Sequence, residues 1–398
     1  MHSQPQSSPL LRGLPAWTYF HQELLELEYE SMILPSWQYV CHSQAVSRPG
    51  DYSTLALLHD PLVVIRGEDG RLRGFLNACR HRGFRLLEAQ GRCTERILCR
   101  YHGWSYWLDG SLAKVPSPET FPGLQASAHG LVPIEVEELF GLVFARVIPG
   151  GPSLREQWGE TLALVEPYQV ETMTASPRGS SERWNCNWKI AVDNNLENYH
   201  VPLGHPGYHR LLDADPVGQL NPHGVAVSKA VLRERLSARP TERLYQTVVE
   251  QALPELPEPH RRTWLFVTLQ PNLGLNFYPE GMDVFQILPD TATTCISRTA
   301  TFRRAGDHKA LRAMHILNLR INRQVGAEDK FLCERVQETV QARGYRPGPL
   351  SSLEFCLADF HRRLRTTCPV AGLGNAPEAG TLRRVNAALL SSSSAWAV

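Results

Sequence analysis

The spacing of hydrophobic positions divides the chain into a helical start, a β-rich stretch and a mixed remainder. Apolar residues recur every three or four positions over residues 17–39, which predicts a helix that ends near Pro35. Over residues 40–146 the apolar runs become short and are separated by Gly and Asp turns, a pattern typical of strands. Residues 149–152, Pro-Gly-Gly-Pro, form the clearest linker. The predicted boundaries are an N-terminal arm and helix at 1–36, a β domain at 37–150, and a last domain at 151–398 on which the N-terminal helix packs.

The segment after the linker mixes helical and strand-like patterns. Helices are predicted at 153–166, 189–200, 308–325 and 327–343. Strands are predicted at 225–232, 263–269, 273–278, 283–288 and 294–302. This mixture indicates an α+β chain.

Composition and charge exclude several classes of function. The chain has 398 residues, with 41 Lys and Arg against 40 Asp and Glu. Such a balance gives no basis for binding nucleic acid or an anionic membrane. No apolar run approaches the roughly 18 to 20 residues of a bilayer span. Because the N-terminus also lacks the build of a secretory signal, we expect a soluble, cytoplasmic protein with no nucleic-acid or membrane partner.

Two short motifs, each with one cysteine and one histidine, carry the strongest chemical signal. Cys79 and His81 form the first motif, and Cys99 and His102 form the second after a spacer of 17 residues. A zinc site usually pairs Cys with Cys and His with His. One thiolate and one imidazole from each loop suit a [2Fe–2S] cluster, with both cysteines on one iron and both histidines on the other. A structural zinc site and a coincidence within a core are the alternatives.

Around these motifs the chain resembles the Rieske non-heme iron oxygenases, specifically their terminal oxygenase α subunits. CRHRG at 79–83 and CRYHGW at 99–104 match the cluster loops of that family residue by residue. The resemblance covers about residues 37–345. It implies a β-sandwich Rieske domain followed by a catalytic domain in which helices cover an antiparallel sheet.

A second ligand set is predicted in the last domain. Glu197 and His200 lie three residues apart on the predicted helix, and Pro202 is expected to end that helix and turn His205 towards the same point. Two imidazoles and one carboxylate form the facial triad of non-heme iron oxygenases. The resemblance assigns the carboxylate to Asp329, at the predicted start of the last long helix. Glu328 is the alternative ligand, and is otherwise expected to be a solvated acid in the first turn.

The resemblance implies reductive activation of O₂, the co-substrate. In this family the Rieske cluster passes electrons to a mononuclear Fe(II), where O₂ is activated and a small organic substrate is hydroxylated. The chain has no flavin or nicotinamide fingerprint of its own. NAD(P)H is therefore expected to act through a separate flavin/iron–sulfur reductase, with or without a ferredoxin.

The resemblance also implies a homotrimer, in which the cluster of one subunit serves the iron of the next. The carboxylate that bridges the two centres corresponds to Glu197, which would join His102 of one subunit to His200 of its neighbour. Aromatic-ring dioxygenases usually have Asp here, whereas members with Glu include monooxygenases and demethylases of carnitine, glycine betaine and stachydrine. The sequence favours monooxygenation or oxidative N-demethylation of a quaternary ammonium compound. Hydroxylation of an aromatic ring or aromatic acid is the alternative.

Five aromatic residues on strand-like runs are candidates for lining a substrate pocket: Trp264, Phe266, Phe277, Tyr278 and Phe285. They would supply cation–π contacts to an ammonium group or stacking to a ring, so they do not discriminate between the substrates. Ordinary core packing is the alternative for each. A pure electron carrier is a remote alternative, disfavoured because residues 151–398 contain ligands that a carrier does not need.

Overall fold

The chain forms two compact units. The computed structural model describes residues 11–176, 179–214, 218–252, 256–306 and 309–394, so residues 1–10 of the predicted N-terminal arm lie outside the described residues. The β-rich unit comprises Ile33–Trp158 and Gln169–Thr172. The mixed unit comprises Met1–Met32, Gly159–Tyr168 and Met173–Val398. The predicted linker at 149–152 lies inside the β-rich unit, which continues to Trp158.

Helices and strands are numbered along the whole chain, and the β-rich unit contains the first strands. They are β1 (Gln38–His42), β2 (Asp51–Ala56), β3 (Pro61–Arg66), β4 (Leu72–Leu76), β5 (Gln90–Arg92), β6 (Arg96–Leu98), β7 (Ser105–Trp107), β8 (Leu112–Lys114), β9 (Pro133–Leu139) and β10 (Leu142–Arg146). The short helix α2 (Leu154–Trp158) closes the unit. The strands form two antiparallel sheets, in the orders β1-β10-β9-β4-β3-β2-β5 and β6-β7-β8.

The mixed unit contains the remaining elements. Its helices are α1 (Gln22–Glu28), α3 (Thr161–Val165), α4 (Trp188–Asn195), α5 (Val201–Gly204), α6 (Pro206–His209), α7 (Pro240–Ala252), α8 (Glu258–Arg261), α9 (Lys309–Thr339), α10 (Phe355–Thr367) and α11 (Leu382–Ser394). Its strands are β11 (Thr174–Ala175), β12 (Ser180–Trp184), β13 (Gly218–Leu220), β14 (Val225–Val231), β15 (Thr263–Leu269), β16 (Leu273–Tyr278), β17 (Gly281–Thr291) and β18 (Thr294–Arg303).

The sheet of the mixed unit is antiparallel, in the order β11-β18-β17-β16-β15-β14-β13, with β12 also paired to β18. Helix α9 packs against α4, α5, α6 and α7. Leu311, Met314 and Ile321 of α9 share one hydrophobic core with Tyr245 and Val249 of α7. The predicted α+β class, with antiparallel sheets and covering helices, is confirmed.

A buried ion pair holds α1 against α4. Lys189 Nζ lies 2.8 Å from Glu28 Oε2, and Trp188 Nε1 donates to the same oxygen at 2.9 Å. Both charged residues are 0% exposed. Burial raises the pKa of Glu28, and Lys189 opposes that rise. The second residue of α4 is thereby fixed, one helix length before the predicted metal ligands.

All five helix predictions were wrong in their limits, and the one at 153–166 is two short helices, α2 and α3. The helix predicted over 17–39 is α1 followed by a π turn at Tyr29–Ile33, and Tyr39 belongs to β1. The helices predicted at 308–325 and 327–343 are one element, α9, because a glycine inside a helix costs only about 1 kcal/mol and packing of the apolar face outweighs it. Glu328 and Asp329 therefore lie in the middle of a helix and not in a first turn. Helix α4 ends at Asn195, so Glu197 and His200 lie in the turn that follows it.

None of the described helices combines the length and the hydropathy that a bilayer-spanning helix needs.

Candidate functional site

Two hairpin loops of the β-rich unit present the predicted cluster ligands in matching conformations. In the first loop, Cys79 N–H donates to Phe84 O at 2.9 Å and Gly83 N–H donates to Cys79 O at 2.9 Å. In the second, Cys99 N–H donates to Trp104 O at 2.8 Å and Gly103 N–H donates to Cys99 O at 3.0 Å. Gly83 and Gly103 both have left-handed φ, +69° and +75°, which favours glycine there. The loops therefore have the same backbone turn, although their Cys-to-His spacings differ by one residue.

The two cysteines and the two histidines on these loops differ in solvent exposure. Cys79 and Cys99 are 4% and 1% exposed and belong to the hydrophobic core of the unit. His81 is half-buried, His102 is exposed, and their Nδ1 atoms lie 3.2 Å apart. Burial raises the pKa of the Cys99 thiol, and the N–H groups of Tyr101 and His102 oppose that rise. Two thiols thus face the core and two imidazoles face the surface.

Tyr106, on strand β7 after the second loop, contacts the first loop beside the Cys79 thiol. Its hydroxyl lies 3.2 Å from Cys79 Sγ and accepts a hydrogen bond from Arg80 N–H at 2.9 Å. The side chain is 0% exposed. Because the hydroxyl lone pair is taken by Arg80, its proton is free to point at the sulfur.

The turn after α4 determines the position of His200. The carboxylate of Glu197 accepts hydrogen bonds from the backbone N–H groups of Tyr199 and His200, and its Oε1 lies 2.5 Å from His200 Nδ1. Pro202 is in the first turn of the short helix α5, so it begins a helix and does not end one as predicted. A Cβ at Gly204 would lie only 3.1 Å from the His200 ring. A small residue is therefore needed at 204 beside that imidazole.

His205 lies between α5 and α6 and is 3% exposed. Its Nδ1 contacts Glu328 Oε2 at 2.9 Å, and its Nε2 contacts Asp329 Oδ1 at 2.9 Å. Burial lowers the pKa of His205, but the two carboxylates outweigh burial and raise it. The expectation that Glu328 is solvated was wrong, since Glu328 holds the ring whose other nitrogen faces Asp329.

Three predicted ligand atoms converge in the mixed unit. One atom each from His200, His205 and Asp329 lie within 4.8 Å of one another. His200 Nε2 is 3.1 Å from His205 Nε2 and 3.7 Å from Asp329 Oδ1. Because Glu197 and Glu328 take the Nδ1 protons, the two Nε2 lone pairs face each other. Asn194 Nδ2 also approaches His200 Nε2, at 3.4 Å.

Asp329 Oδ1 is buried and, among the described residues, has no hydrogen-bond partner in acceptable geometry. His205 Nε2 lies 2.9 Å from it, and in the neutral ring with its proton on Nδ1 the Nε2 lone pair would face this oxygen. Two facing imidazole lone pairs and an unsatisfied carboxylate oxygen repel one another unless a cation lies between them. The donor set of two imidazoles and one carboxylate, each imidazole held by an outer carboxylate, therefore fits a divalent transition metal.

The three convergent residues line a cavity of about 500 Å³. Aromatic residues form part of its wall: Tyr208, Trp264, Phe266, Tyr278 and Phe285. Tyr208 stacks on Trp264 with ring centroids 5.5 Å apart, and Tyr278 meets Trp264 edge-on at 5.2 Å. Of the predicted aromatics, Phe277 alone points away and packs on Tyr168.

Two acidic residues near this wall were not predicted from the sequence. Asp283 lines the cavity, and burial raises its pKa to about 6. Glu280 is 1% exposed, accepts from Tyr245 Oη at 3.0 Å, and has its pKa raised to about 8 by burial. Trp264 Nε1 in turn donates to Tyr245 Oη at 3.0 Å. Nothing in the sequence indicated a role for Asp283, which is simply the first residue of the strand predicted at 283–288.

Two family models match the chain. Residues 160–369 match the ring hydroxylating alpha subunit (catalytic domain), and residues 36–129 match the Rieske [2Fe-2S] domain.

Curated relatives include oxygenases of two kinds. The carnitine monooxygenase oxygenase subunit of Escherichia coli (strain K12) is 35% identical over 204 residues, 51% of this chain and 54% of the relative. The glycine betaine monooxygenase oxygenase subunit of Pseudomonas aeruginosa (strain UCBPP-PA14) is 30% identical over 49% of this chain and 45% of the relative. The biphenyl 2,3-dioxygenase subunit alpha of Rhodococcus jostii (strain RHA1) is 35% identical over 44% of this chain and 39% of the relative. The chain thus spans about half the length of the curated relatives it matches.

Solved structures share the fold over nearly the whole chain. A quaternary ammonium Rieske monooxygenase in complex with L-carnitine matches with a TM-score of 0.74 at 24% identity, covering 90% of this chain and 96% of that one. Naphthalene 1,2-dioxygenase from Rhodococcus sp. bound to indole matches with a TM-score of 0.72 at 19% identity, covering 91% and 95%.

Proposed function

The chain belongs to the ring-hydroxylating α subunits and carries a Rieske [2Fe–2S] domain, and on that premise we propose that it is the oxygenase component of a multicomponent system that hydroxylates a quaternary ammonium compound. Membership in the family implies a Rieske cluster and a mononuclear iron as cofactors. The observation that carries the proposal is the convergence of His200, His205 and Asp329 at the wall of an aromatic-lined cavity.

The residues present fit both cofactors. The facing Nε2 atoms and the unsatisfied Asp329 Oδ1 suit the mononuclear iron, which would be held by His200, His205 and Asp329. The core-facing thiols of Cys79 and Cys99 and the surface-facing imidazoles of His81 and His102 suit a Rieske cluster. When bound, these groups supply electron transfer and O₂ activation.

Each imidazole is oriented by its own carboxylate. Glu328 holds the Nδ1 proton of His205 and Glu197 holds that of His200, so both rings present Nε2 to the same point. Such outer contacts fix the tautomer and raise the basicity of the ring. The aromatic wall forms another side of the cavity and would contact the substrate.

The proposed reaction consumes one O₂, two electrons and two protons for each C–H bond hydroxylated. One oxygen atom enters the substrate and the other leaves as water. Hydroxylation at a carbon bonded to the ammonium nitrogen gives a carbinolamine, whose C–N bond then breaks to an aldehyde and a tertiary amine. The two electrons would come from NAD(P)H through a separate reductase, with or without a ferredoxin.

The quaternary ammonium class is supported by two features of the chain. Carnitine monooxygenase and glycine betaine monooxygenase subunits are among the relatives, and the cavity wall offers several aromatic faces to a cation. Aromatic-ring hydroxylation stays the second candidate because the biphenyl dioxygenase subunit reaches the same 35% identity.

A homotrimer and an inter-subunit path through Glu197 complete the proposal. Glu197 contacts His200, and its partner across the interface would be His102 of a neighbouring subunit, which is exposed in the β-rich unit. A cytoplasmic location is supported by the nine cysteines, all of them in the described part of the chain and none of them in a disulfide.

Substrate-dependent O₂ uptake tests the proposal. The iron-loaded protein would be mixed with NADH and a surrogate reductase and offered L-carnitine, glycine betaine, choline, biphenyl and benzoate in turn. We expect uptake, with formaldehyde, another aldehyde or a tertiary amine as product, from at least one quaternary amine and from neither aromatic compound. Uptake with an aromatic compound alone would replace the proposed substrate class by the second candidate.

A further inference from the structure

One row of residues crosses the sheet beneath the cavity. Ser228, Phe266, Asn276, Asp283 and Thr301 are in register on five neighbouring strands, from β14 to β18. All five line the cavity. Asp283 is the only acid in this row. Asn276 lies beside it on β16, and Phe266 lies two strands away on β15.

The carboxylate of Asp283 is surrounded by neutral hydrogen-bond donors. Asn276 Nδ2 donates to Oδ1 at 2.7 Å, and Tyr278 Oη and Asn322 Nδ2 approach Oδ2 at 3.1 and 3.0 Å. Two of these donors come from the sheet and one from α9. An ionised carboxylate has about four acceptor sites, so three of them are already used.

Asp283 forms no ion pair within the described chain, although Arg323 and Lys330 line the same cavity. No Lys, Arg or His of the described residues lies within ion-pair distance of it, although other acids at this cavity are paired. Glu182, for example, pairs with Lys330, and Glu197 contacts His200. Burial is the main influence on the pKa of Asp283, which rises to about 6, so the group is largely ionised at neutral pH. A carboxylate ion that is partly desolvated and has no cationic partner is costly to maintain.

This shell suits one class of ligand better than others. A primary ammonium ion needs acceptor lone pairs for its N–H donors, and most lone pairs of Asp283 are taken. A quaternary ammonium ion carries charge but has no N–H group, so it requires the charge of the carboxylate and no free lone pair. Its methyl groups also pack against aromatic faces, and Phe266 and Tyr278 flank Asp283 along the wall.

We propose that Asp283 is the specificity-determining residue that binds the cationic centre of the substrate and makes the cavity selective for quaternary over primary ammonium groups. The inference rests on the proposed function, which it extends by naming the residue and the kind of cation. Nothing in the metal-ligand set depends on Asp283, so its charge can be removed without changing a ligand.

The test compares a cation with its uncharged carbon isostere. Choline and 3,3-dimethylbutan-1-ol have the same shape and differ by one positive charge, and ethanolamine adds a primary ammonium probe. Binding of each to the iron-loaded trimer would be measured by calorimetry. We expect the wild type to bind choline at least about tenfold more tightly than either of the other two.

Asp283→Asn keeps the size of the side chain and removes its charge. The amides of Asn276 and Asn322 can rotate to pair with the new amide, so the shell stays satisfied. We expect choline to lose its preference while 3,3-dimethylbutan-1-ol binds as before. Asp290→Asn is the matched control: it makes the same change on the same strand, at a residue that pairs with Arg183, and both affinities should be unchanged.

The outcomes separate this inference from the proposed function. If Asp283→Asn keeps the wild-type preference for choline, the inference is overturned and the proposed function stands. If the wild type binds biphenyl but no quaternary amine, the substrate class and the inference fail together. Should Asp283→Asn not accumulate as folded protein with normal iron, Asp283→Ser and the charge-retaining Asp283→Glu take its place. Retention of the preference by Glu and its loss in Ser would support the inference, and equal behaviour of the two would refute it.

Discussion

His205 and Glu328 are joined by a hydrogen bond of 2.9 Å between Nδ1 and Oε2, and this bond turns the Nε2 of the same ring towards Asp329. Two consecutive acids of one helix thus contact opposite nitrogens of a single imidazole. Both contacts are possible because Glu reaches further than Asp by one methylene. The pair therefore has two different tasks, one in orienting the ring and one in facing the metal position.

Asp329→Ala should remove the mononuclear iron and leave the cluster intact, because only one of these two centres loses a ligand. Glu328→Gln should retain the iron with affinity weakened about 10- to 100-fold, since an outer contact to a ligand is lost. Iron analysis and the visible spectrum of the cluster would be measured on both variants. Loss of iron in Glu328→Gln together with full iron in Asp329→Ala would reverse the two roles.

Glu197→Gln should stop electron transfer from cluster to iron within a single turnover, because the charge-assisted contact to His200 becomes a neutral one. Cluster content should be normal, and iron content should be close to normal in excess Fe(II), since Glu197 is an outer contact like Glu328 and not a metal ligand. Stopped-flow oxidation of the pre-reduced cluster measures the step.

Mixed trimers supply the control for that experiment. A Glu197→Gln chain offers a sound cluster, and a Cys99→Ser chain offers a sound Glu197 and iron. Partial recovery of activity is expected only if electrons cross between subunits. Well-formed mixed trimers without any recovery would count against the inter-subunit path.

Lys189→Met should destabilise the mixed unit by about 3–5 kcal/mol, because Glu28 is then left as an unpaired buried carboxyl. Combining it with Glu28→Gln should recover much of that loss. The exposed pair Arg383–Glu30 is the matched control, and Arg383→Met should cost less than about 1 kcal/mol. Urea unfolding of the four proteins provides the comparison, and equal losses in both single Met variants would refute it.

The buried acid Glu280 should make stability fall as the pH rises. Its folded pKa of about 8 lies above the ordinary glutamate pKa of 4.5, so between these pH values the folded state holds a proton that the unfolded state has released. The free energy of unfolding then decreases with rising pH, by at most about 1.4 kcal/mol per pH unit, and levels off above pH 8. Glu280→Gln removes this contribution. From pH 5 to pH 8, the free energy of unfolding of the wild type should therefore fall relative to that of Glu280→Gln. A difference between the two proteins that does not change with pH would show that Glu280 does not titrate in this range.

Tyr106→Phe should lower the reduction potential of the cluster by roughly 50 mV, because a hydrogen bond to the Cys79 thiolate favours the more negative, reduced state. The cluster itself should assemble, since no ligand changes. Redox titration followed by visible absorption gives the potential. Trp107→Phe, at a half-exposed position on the same strand, should leave the potential unchanged.

The sequence was most informative where a regular pattern or a short motif carried the structure. Strands β15 and β16 were predicted to the residue, because each is a short, nearly continuous apolar run bounded by turns. The motifs at 79–83 and 99–104 also lie on two loops of one β unit, as expected. Helix α9 was split in two because Gly326 was read as a boundary, and packing against four other helices is invisible in a local window.

Side chains that depend on distant partners could not be predicted. Tyr208 is in a four-residue helix with no period to detect, yet it stacks on Trp264. In the sequence, Asp283 resembles any solvent-facing acid of a strand. Its partners become visible only in the structure, where Asn276 is its neighbour on the adjacent strand and Asn322, 39 residues further along the chain, contacts it from α9. Glu328 was misjudged for the same reason, since its partner His205 is 123 residues away.

The uninterrupted course of α9 has a consequence for which bond of a substrate is reached. Asn322 and Asp329 are seven residues apart, close to two full turns, so they leave the same face of the helix about 10 Å apart along its axis. One touches Asp283 and the other faces His200 and His205. Helix α9 thus fixes the distance between the site proposed for the positive charge, at Asp283, and the metal position, at Asp329. Its length is set by backbone hydrogen bonds and not by a loop, so only carbons at one fixed distance from the charged atom can be presented for reaction. Inserting a single residue between Asn322 and Asp329 would rotate one about 100° around the helix axis relative to the other. The two side chains would then no longer face the same cavity.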